Sequence, residues 1–313
     1  MGGLLEETAH RIMAAPDPWP ALEEAGLTLV GVPEEAGGSG GTPEDAAVLL
    51  RAAGYHGAAV PLAETGWLAG RLLAAAGLPV PAGPLTVAHG AVELSGGALS
   101  GTLRRVPWGR AARCAVLLAD GTVAVPGPAP TGIAEGANLA GEPRDDLAFD
   151  AVPAEAVAPS PVTPADLRRW GALARAVQLT GAMRRALELA VAYAGEREQF
   201  GRPIGRFQAV QHLLAELAGE VVVADVAVRA AVRTPDDPVA VASAKAGASR
   251  AAGEVAAIAH QVHGAIGVTA EHPLHRSTLR LWSWREEHGD EHAWAAELGA
   301  LGGDPWELLT GPL

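Results

Sequence analysis

A single cysteine, Cys114, leaves no partner for a disulfide and too few thiolates for a cysteine-based zinc site, and so fits a reducing cytoplasm. Lysine is equally scarce: Lys245 is the only one among 23 basic residues, the rest being arginine, a skew we read as genomic base composition. Positive charge is also in deficit, 23 basic against 36 acidic residues for a formal net charge of -13, which argues against a nucleic-acid partner because phosphates require a basic face. No apolar run approaches the roughly 18 residues of a membrane span. Met1 runs into Gly2-Gly3-Leu4-Leu5-Glu6-Glu7 with no basic stretch and apolar core behind it, so no secretory signal is expected and the location implied is cytoplasmic. Aromatic residues amount to only 4%, yet 49% of the chain is hydrophobic. Disorder is thereby excluded, and the length suits one large domain or two to three small ones.

What is present divides into three units, residues 1–78, 79–160 and 161–313: mixed α and β, mostly α. From Pro18 the spacing of Trp19, Leu22, Ala25 and Leu27 is helical until Gly37-Gly38-Ser39-Gly40-Gly41 interrupts it. Thr42-Pro43-Glu44-Asp45 then reads as an N-cap, a proline at the first helical position and two acids in the first turn. Ala63 to Ala76 supplies another helical segment. Between about Pro79 and Pro161 short apolar runs predict strands over Leu85–Val92, Ala98–Val106, Cys114–Ala119, Thr122–Val125 and Asp146–Val152, with Asp120-Gly121 as a two-residue hairpin turn. Thr163-Pro164-Ala165-Asp166 opens a helix reaching about Glu196 that is apolar on two sides, as a helix packed between neighbours in a bundle must be. Further helices are expected from about Gln208 and over Val239–Val262.

Two stretches carry chemistry. Arg197-Glu198-Gln199-Phe200-Gly201-Arg202-Pro203, at the joint between two long helices, gathers a guanidinium fork, an amide and an aromatic ring on one short turn. Such a set suits a phosphate with a ring system attached. A helix C-cap explains the same residues, with Arg197 facing the negative helix end and Gly201 terminating it. Gln261-Val262-His263-Gly264-Ala265-Ile266-Gly267 has glycines that let a ligand approach the backbone and an amide that both donates and accepts. A glycine-lined helix terminus accounts for it equally well. His260, His263, His272 and His275 lack carboxylates at ligand spacing, so no metal is expected. His288 and His292 lie one helical turn apart, but Gly289 between them points to a solvated, charged helix face. Gly37 to Gly41 lacks the Lys-Ser/Thr of a P-loop and reads as a turn.

In the order helical, β, helical, these two stretches together, with Val32-Pro33-Glu34-Glu35-Ala36-Gly37-Gly38-Ser39-Gly40 and with Glu271-His272-Pro273-Leu274-His275-Arg276, closely resemble the acyl-CoA dehydrogenase family over nearly the whole chain. The resemblance implies an N-terminal helical domain, a small middle β domain and a C-terminal four-helix-bundle-like domain. It also implies FAD as cofactor and removal of the α and β hydrogens of an acyl-CoA thioester, the α proton by a glutamate base and the β hydride by the flavin. Two departures stand out. Nothing between Pro79 and Pro161 matches the family's Thr-Glu-Pro…Gly-Ser-Asp flavin cradle. The two places where relatives carry the base hold His288, followed by Gly289, and Gly171-Ala172; Glu287 is adjacent, but one residue along a helix turns a side chain by about 100°. His288 and Glu287 are the candidates left for a base. In family dimers Arg197, Gln199, Phe200, Gln261, Gly264 and Gly267 correspond to residues that reach the FAD of the neighbouring subunit. The chain thus resembles the short, non-catalytic subunit of α2β2 acyl-CoA dehydrogenases of actinobacterial steroid and lipid catabolism, in which a longer homologue supplies the base. A self-sufficient homo-oligomer using His288 or Glu287, and an interaction protein that has lost its cofactor, are the other readings.

Overall fold

The two expected capping sites set the helical frame. Asp45 N–H donates to Thr42 Oγ1 while the Thr42 N–H donates to the Asp45 carboxylate, and Thr163 and Asp166 repeat this reciprocal box. In the computed structural model, which describes residues 2–127 and 129–301, the first helices are α1 (Gly2–Met13), α2 (Trp19–Glu24), α3 (Pro43–His56) and α4 (Arg71–Ala75). Residues 302–313 of the expected C-terminal unit lie outside the described residues. Helix α1 precedes the first helix read from the pattern; it is held by Ala9 and Met13, both buried against the core. Residues Ala63–Gly70 are a buried π-helical stretch rather than a 3.6-residue helix, which sequence spacing cannot distinguish.

Seven strands follow: β1 (Leu85–His89), β2 (Ala91–Ser95), β3 (Ala98–Pro107), β4 (Arg113–Leu117), β5 (Thr122–Pro126), β6 (Gly132–Ala134) and β7 (Arg144–Pro159). They pair in the order β1-β4-β5-β7-β3-β2 with β6 on β7; β1 and β4 are parallel and the other pairs antiparallel. The run Leu85–Val92 is therefore two strands broken at Gly90, β6 was not foreseen, and β7 is more than twice its expected length. Strand β7 serves two sets of neighbours, β3 and β6 with its first half and β5 with its second, so the sheet curls around Leu99, Leu103, Val106, Leu147 and Phe149. The Asp120-Gly121 turn is present, but as part of a longer loop closed by Leu118 N–H on the Thr122 carbonyl, with Gly121 at φ 82°.

The C-terminal part comprises α5 (Pro164–Glu196), a small hairpin of β8 (Glu198–Gln199) and β9 (Arg202–Pro203), α6 (Gln208–Arg233), α7 (Pro238–His263), α8 (Leu274–Trp284) and α9 (Glu291–Ala300). N-terminal and C-terminal helices share one core, in which α5 lies between α3 and α7. The α3–α5 crossing is backbone against backbone. A Cβ on Gly54 would overlap the Gln178 carbonyl oxygen, and one on Gly181 the Arg51 carbonyl oxygen. Two glycines, one per helix, thus set the distance of closest approach.

Gly181→Ala should consequently cost about 1–3 kcal/mol in urea unfolding, the range for overpacking a tight core. Gly195→Ala, on the same helix with open space at its Cβ position, should stabilise by up to about 1 kcal/mol. Equal effects at the two positions would show that the helix crossing is not the constraint.

Candidate functional site

Helix α8 stops at Trp284, and the chain turns through Arg285–Gly289 with His288 at φ 59°. The expected charged helix face across Glu286–His292 does not exist, because no helix spans it. Glu287 is instead drawn inward. Its Oε1 accepts from Arg144 Nε (3.0 Å) and Asn138 Nδ2 (3.1 Å), and its Oε2 from Arg175 Nε (2.6 Å). Arg175 goes on to Glu64 of the π-helical stretch and to Gln178, and Arg144 reaches Glu142 at 3.4 Å. Glu142 in turn receives the Trp284 indole N–H (2.9 Å) and lies 3.4 Å from Arg280. The result is a chain of three carboxylates and three guanidiniums, charge-balanced, running from the N-terminal helices past the start of β7 to α8.

Burial by itself would raise the Glu287 carboxyl, but Arg175 and Arg144 outweigh it and hold the group at about 2. His288 is half-buried, and burial followed by Arg175 pushes its imidazole down to about 3. Both side chains line one cleft of about 650 Å³ with Arg105, Asn138, Leu139 and Trp282, contrary to the helical argument that would point them apart. A Cβ on Gly171 would overlap the His288 ring. The two positions where a base was sought are therefore in contact, one providing the space that the other fills. One group is thus a carboxylate paired with two guanidiniums, and the other an imidazole whose proton affinity burial and Arg175 lower.

Lys245 is a residue that sequence reasoning passed over. Fully buried, it donates from Nζ to the carbonyls of Trp284 (3.1 Å) and Arg285 (2.8 Å) and to Ser249 Oγ (2.9 Å), closing the end of α8 from which the Glu287 turn departs. Burial lowers its ammonium to about 7. Its being the only lysine, within an alanine- and glycine-rich helix, was the available signal.

The other candidate residues lie outside this interior. Helix α5 ends at Arg197, whose N–H donates to the Tyr193 carbonyl (2.8 Å). Gly201 is not the terminator: it occupies the tip of the β8–β9 hairpin with Phe200, at φ 77° and 54°. Positive φ at both central residues defines a type I′ turn, an unusual conformation for phenylalanine, and the ring is 92% exposed. Arg197, Gln199 and Phe200 are all exposed, and among the described residues the Arg197 guanidinium has no hydrogen-bond or ion-pair partner. Arg202 is engaged, with its Cζ 4.2 Å from the Phe207 ring centroid. At the end of α7, Gln261 and Gly264 are exposed; Gly264 has φ 64° and open space where a Cβ would be. Gly267, grouped with Gly264 for ligand approach, is instead buried, its Cβ position 2.8 Å from His263 Cβ. The two motif arms are brought together, since the Tyr193 and His263 rings stack with centroids 4.6 Å apart.

Residues 169–289 match the family described as Acyl-CoA dehydrogenase, C-terminal domain. Acyl-CoA dehydrogenase IpdE2 of Mycolicibacterium smegmatis is 34% identical over 266 residues, covering 83% of this chain and 79% of that protein. The chain belongs to the acyl-CoA dehydrogenase family. Among solved structures, the ChsE4-ChsE5 complex from Mycobacterium tuberculosis contains a chain 27% identical with a TM-score of 0.81, the match covering 100% of this chain and 97% of that one. The Tcur3481-Tcur3483 steroid ACAD contains a chain 28% identical with a TM-score of 0.79, covering 96% and 97%. Within the family frame, this chain has an interior of paired charges around Glu287 and exposed polar and aromatic groups at the motif arms.

The interior also sets an acid limit. An unfolded histidine titrates near 6.5, so between about pH 6.5 and 3 the unfolded chain binds a proton that folded His288 refuses, and stability falls as pH falls through that window. Glu287, depressed to about 2, adds a second loss from about pH 4.3 downward. His288→Asn, which tolerates positive φ, should reduce the dependence of unfolding free energy on pH below about 6.5 by one histidine's share, the other lowered histidines keeping theirs. An unchanged slope would remove His288 from this account. Arg175→Met, which strands Glu64 and leaves Glu287 to Arg144 and Asn138, should cost about 3–5 kcal/mol in denaturant unfolding at neutral pH.

Proposed function

We propose that this chain is the short, non-catalytic subunit of an α2β2 FAD-dependent acyl-CoA dehydrogenase, and that it completes the FAD site of a longer homologous partner. In this reading the three units divide at about residues 78 and 160, and the last carries both arms that face the partner's cofactor. The observation that carries it is an asymmetry of satisfaction. Arg197, Gln199, Phe200, Gln261 and Gly264 lie exposed on two adjoining arms, and the Arg197 guanidinium is unpaired among the described residues. At the base positions, by contrast, Glu287 is paired with two guanidiniums and Gly171 is covered by His288.

The donor set fits one part of FAD. A guanidinium fork suits the pyrophosphate, the Gln199 and Gln261 amides suit polar edges, Phe200 packs on a ring, and the open Gly264 backbone admits close approach. Gly267 contributes indirectly, by packing under His263. When bound, FAD supplies the acceptor for the substrate's β hydride. The α proton falls to a glutamate of the partner, because Glu287 at about 2 and His288 at about 3 are poor proton acceptors at neutral pH. Similarity to chains of the ChsE4-ChsE5 complex and of a steroid ACAD supports both a heteromeric assembly and a steroid-derived acyl-CoA. The self-sufficient reading is disfavoured by the same pairing of Glu287, and the loss of all cofactor contact by the retention of the whole exposed donor set.

Purified alone, the chain should lack flavin absorbance; co-purified with a longer homologue encoded beside it, the complex should be yellow. A stoichiometrically flavinylated homo-oligomer would refute the reading. In the complex, Arg197→Ala should weaken FAD binding about 10- to 150-fold without dissociating the subunits, with only partial rescue by Arg197→Lys. Arg202→Ala is the control, because that guanidinium is occupied on Phe207. Glu287→Gln and His288→Ala should each leave turnover within about tenfold, whereas loss of a true base removes about 10²–10⁴-fold. A drop beyond a hundredfold with FAD still bound would place the base in this chain.

A further inference from the structure

The two arms assigned to the cofactor belong to different helices, and something must hold them in register. Arg197 caps α5, whereas Gln261 and Gly264 end α7. Between them lies a cluster of rings that the proposed function leaves unused. Tyr193, whose carbonyl receives the Arg197 N–H, stacks its ring on His263 at 4.6 Å and 23°. His263 is flanked by Gln261 and by Gly264, whose N–H donates to the His260 carbonyl. His272 covers His263 from a second side at 4.6 Å and meets the Tyr193 ring edge-on at 6.1 Å. Each imidazole is itself anchored. His263 Nδ1 lies 2.7 Å from the Ala259 carbonyl, while His272 Nδ1 accepts the Leu274 N–H (3.2 Å) and its carbonyl receives His275 Nδ1 (2.6 Å). Gly267 completes the packing, since a side chain there would collide with His263.

We propose that Tyr193, His263 and His272 form a positioning clamp that holds the Arg197 arm and the Gln261–Gly264 arm in register for FAD, an inference that rests on the FAD half-site reading. A fixed pair of arms binds more tightly than two arms that must be ordered on binding, because the ordering cost has already been met in the free protein. The clamp is a proton-sensitive one. The groups facing His263 are Tyr193 from α5, His260 from its own helix and His272; His272 is faced by His275 as well, and among the described residues no carboxylate pairs with either ring. Burial first, then the neighbouring His272 and His260, lower His263 against the opposing pull of the Ala259 carbonyl; burial and His275 lower His272. Both rings are neutral at neutral pH, and acid that forces a proton onto the stack loosens it.

The test has two arms. In the complex with the longer partner, fluorescence titration of FAD should show Tyr193→Ala and His263→Ala weakened about three- to tenfold with assembly unchanged, the worth of an aromatic stack. His263→Phe, which keeps a ring and removes its proton, should bind FAD as wild type at neutral pH and show a smaller weakening in acid than wild type, His272 keeping the remainder. In amide hydrogen exchange of the full chain, Tyr193→Ala should speed exchange at Arg197 and at Gly264 together. Wild-type affinity in His263→Ala while Arg197→Ala loses FAD, an acid loss undiminished in His263→Phe, or exchange rising at one arm alone would each overturn the clamp. If Arg197→Ala leaves FAD affinity untouched, the half-site reading fails, and coupled exchange of the two arms still decides the clamp.

Discussion

The buried run of charge from Glu64 through Arg175, Glu287, Arg144 and Glu142 to Arg280 is the constraint on which the rest of this molecule depends. It crosses all three parts of the chain: the π-helical stretch, the long helix α5, the start of β7, and the end of α8 with the turn beyond it. Buried ion pairs of this kind are weak contributors to net stability, since the desolvation of each group offsets most of the attraction. Their consequence is geometric. Each carboxylate is satisfied in only one relative placement of sheet and helices, and any other placement strands a charge in an apolar interior.

That constraint also sets the charge state of the interior. A carboxylate held by two guanidiniums and an amide is stabilised as the anion, and the depression of its pKa is the thermodynamic expression of that pairing. His288 is placed by the same turn, and Gly171 is the space it needs. An acid introduced at residue 171 would meet the imidazole before it met any ligand.

The outer face follows the opposite logic. Polar groups that stay in water incur no burial penalty, so an exposed cation and an exposed aromatic at a positive-φ turn are not demanded by folding. The hairpin instead holds Phe200 in a conformation that a smaller residue would adopt with less strain. Interior and exterior together describe a chain whose buried charges pair with one another while its motif residues Arg197, Gln199 and Phe200 are left to solvent.

Local signals in the sequence determined much of this. Thr42 with Asp45 and Thr163 with Asp166 announce helix starts because a cap is made by residues three apart, and Asp120-Gly121 announces a turn for the same local reason. The motif arms were legible as a set, since Arg197, Gln199 and Phe200 lie on one turn and carry a shared chemistry. The tertiary structure alone decided the remainder. Whether Leu85–Val92 is one strand or two depends on which neighbours each half pairs with, and α1 is stabilised by burial of Ala9 and Met13 that no local propensity encodes. Above all, Glu287 and His288 could not be placed from sequence. The partners that set them, Arg144, Arg175 and Gly171, lie more than a hundred residues away, and electrostatic and steric fit act through space, not along the chain.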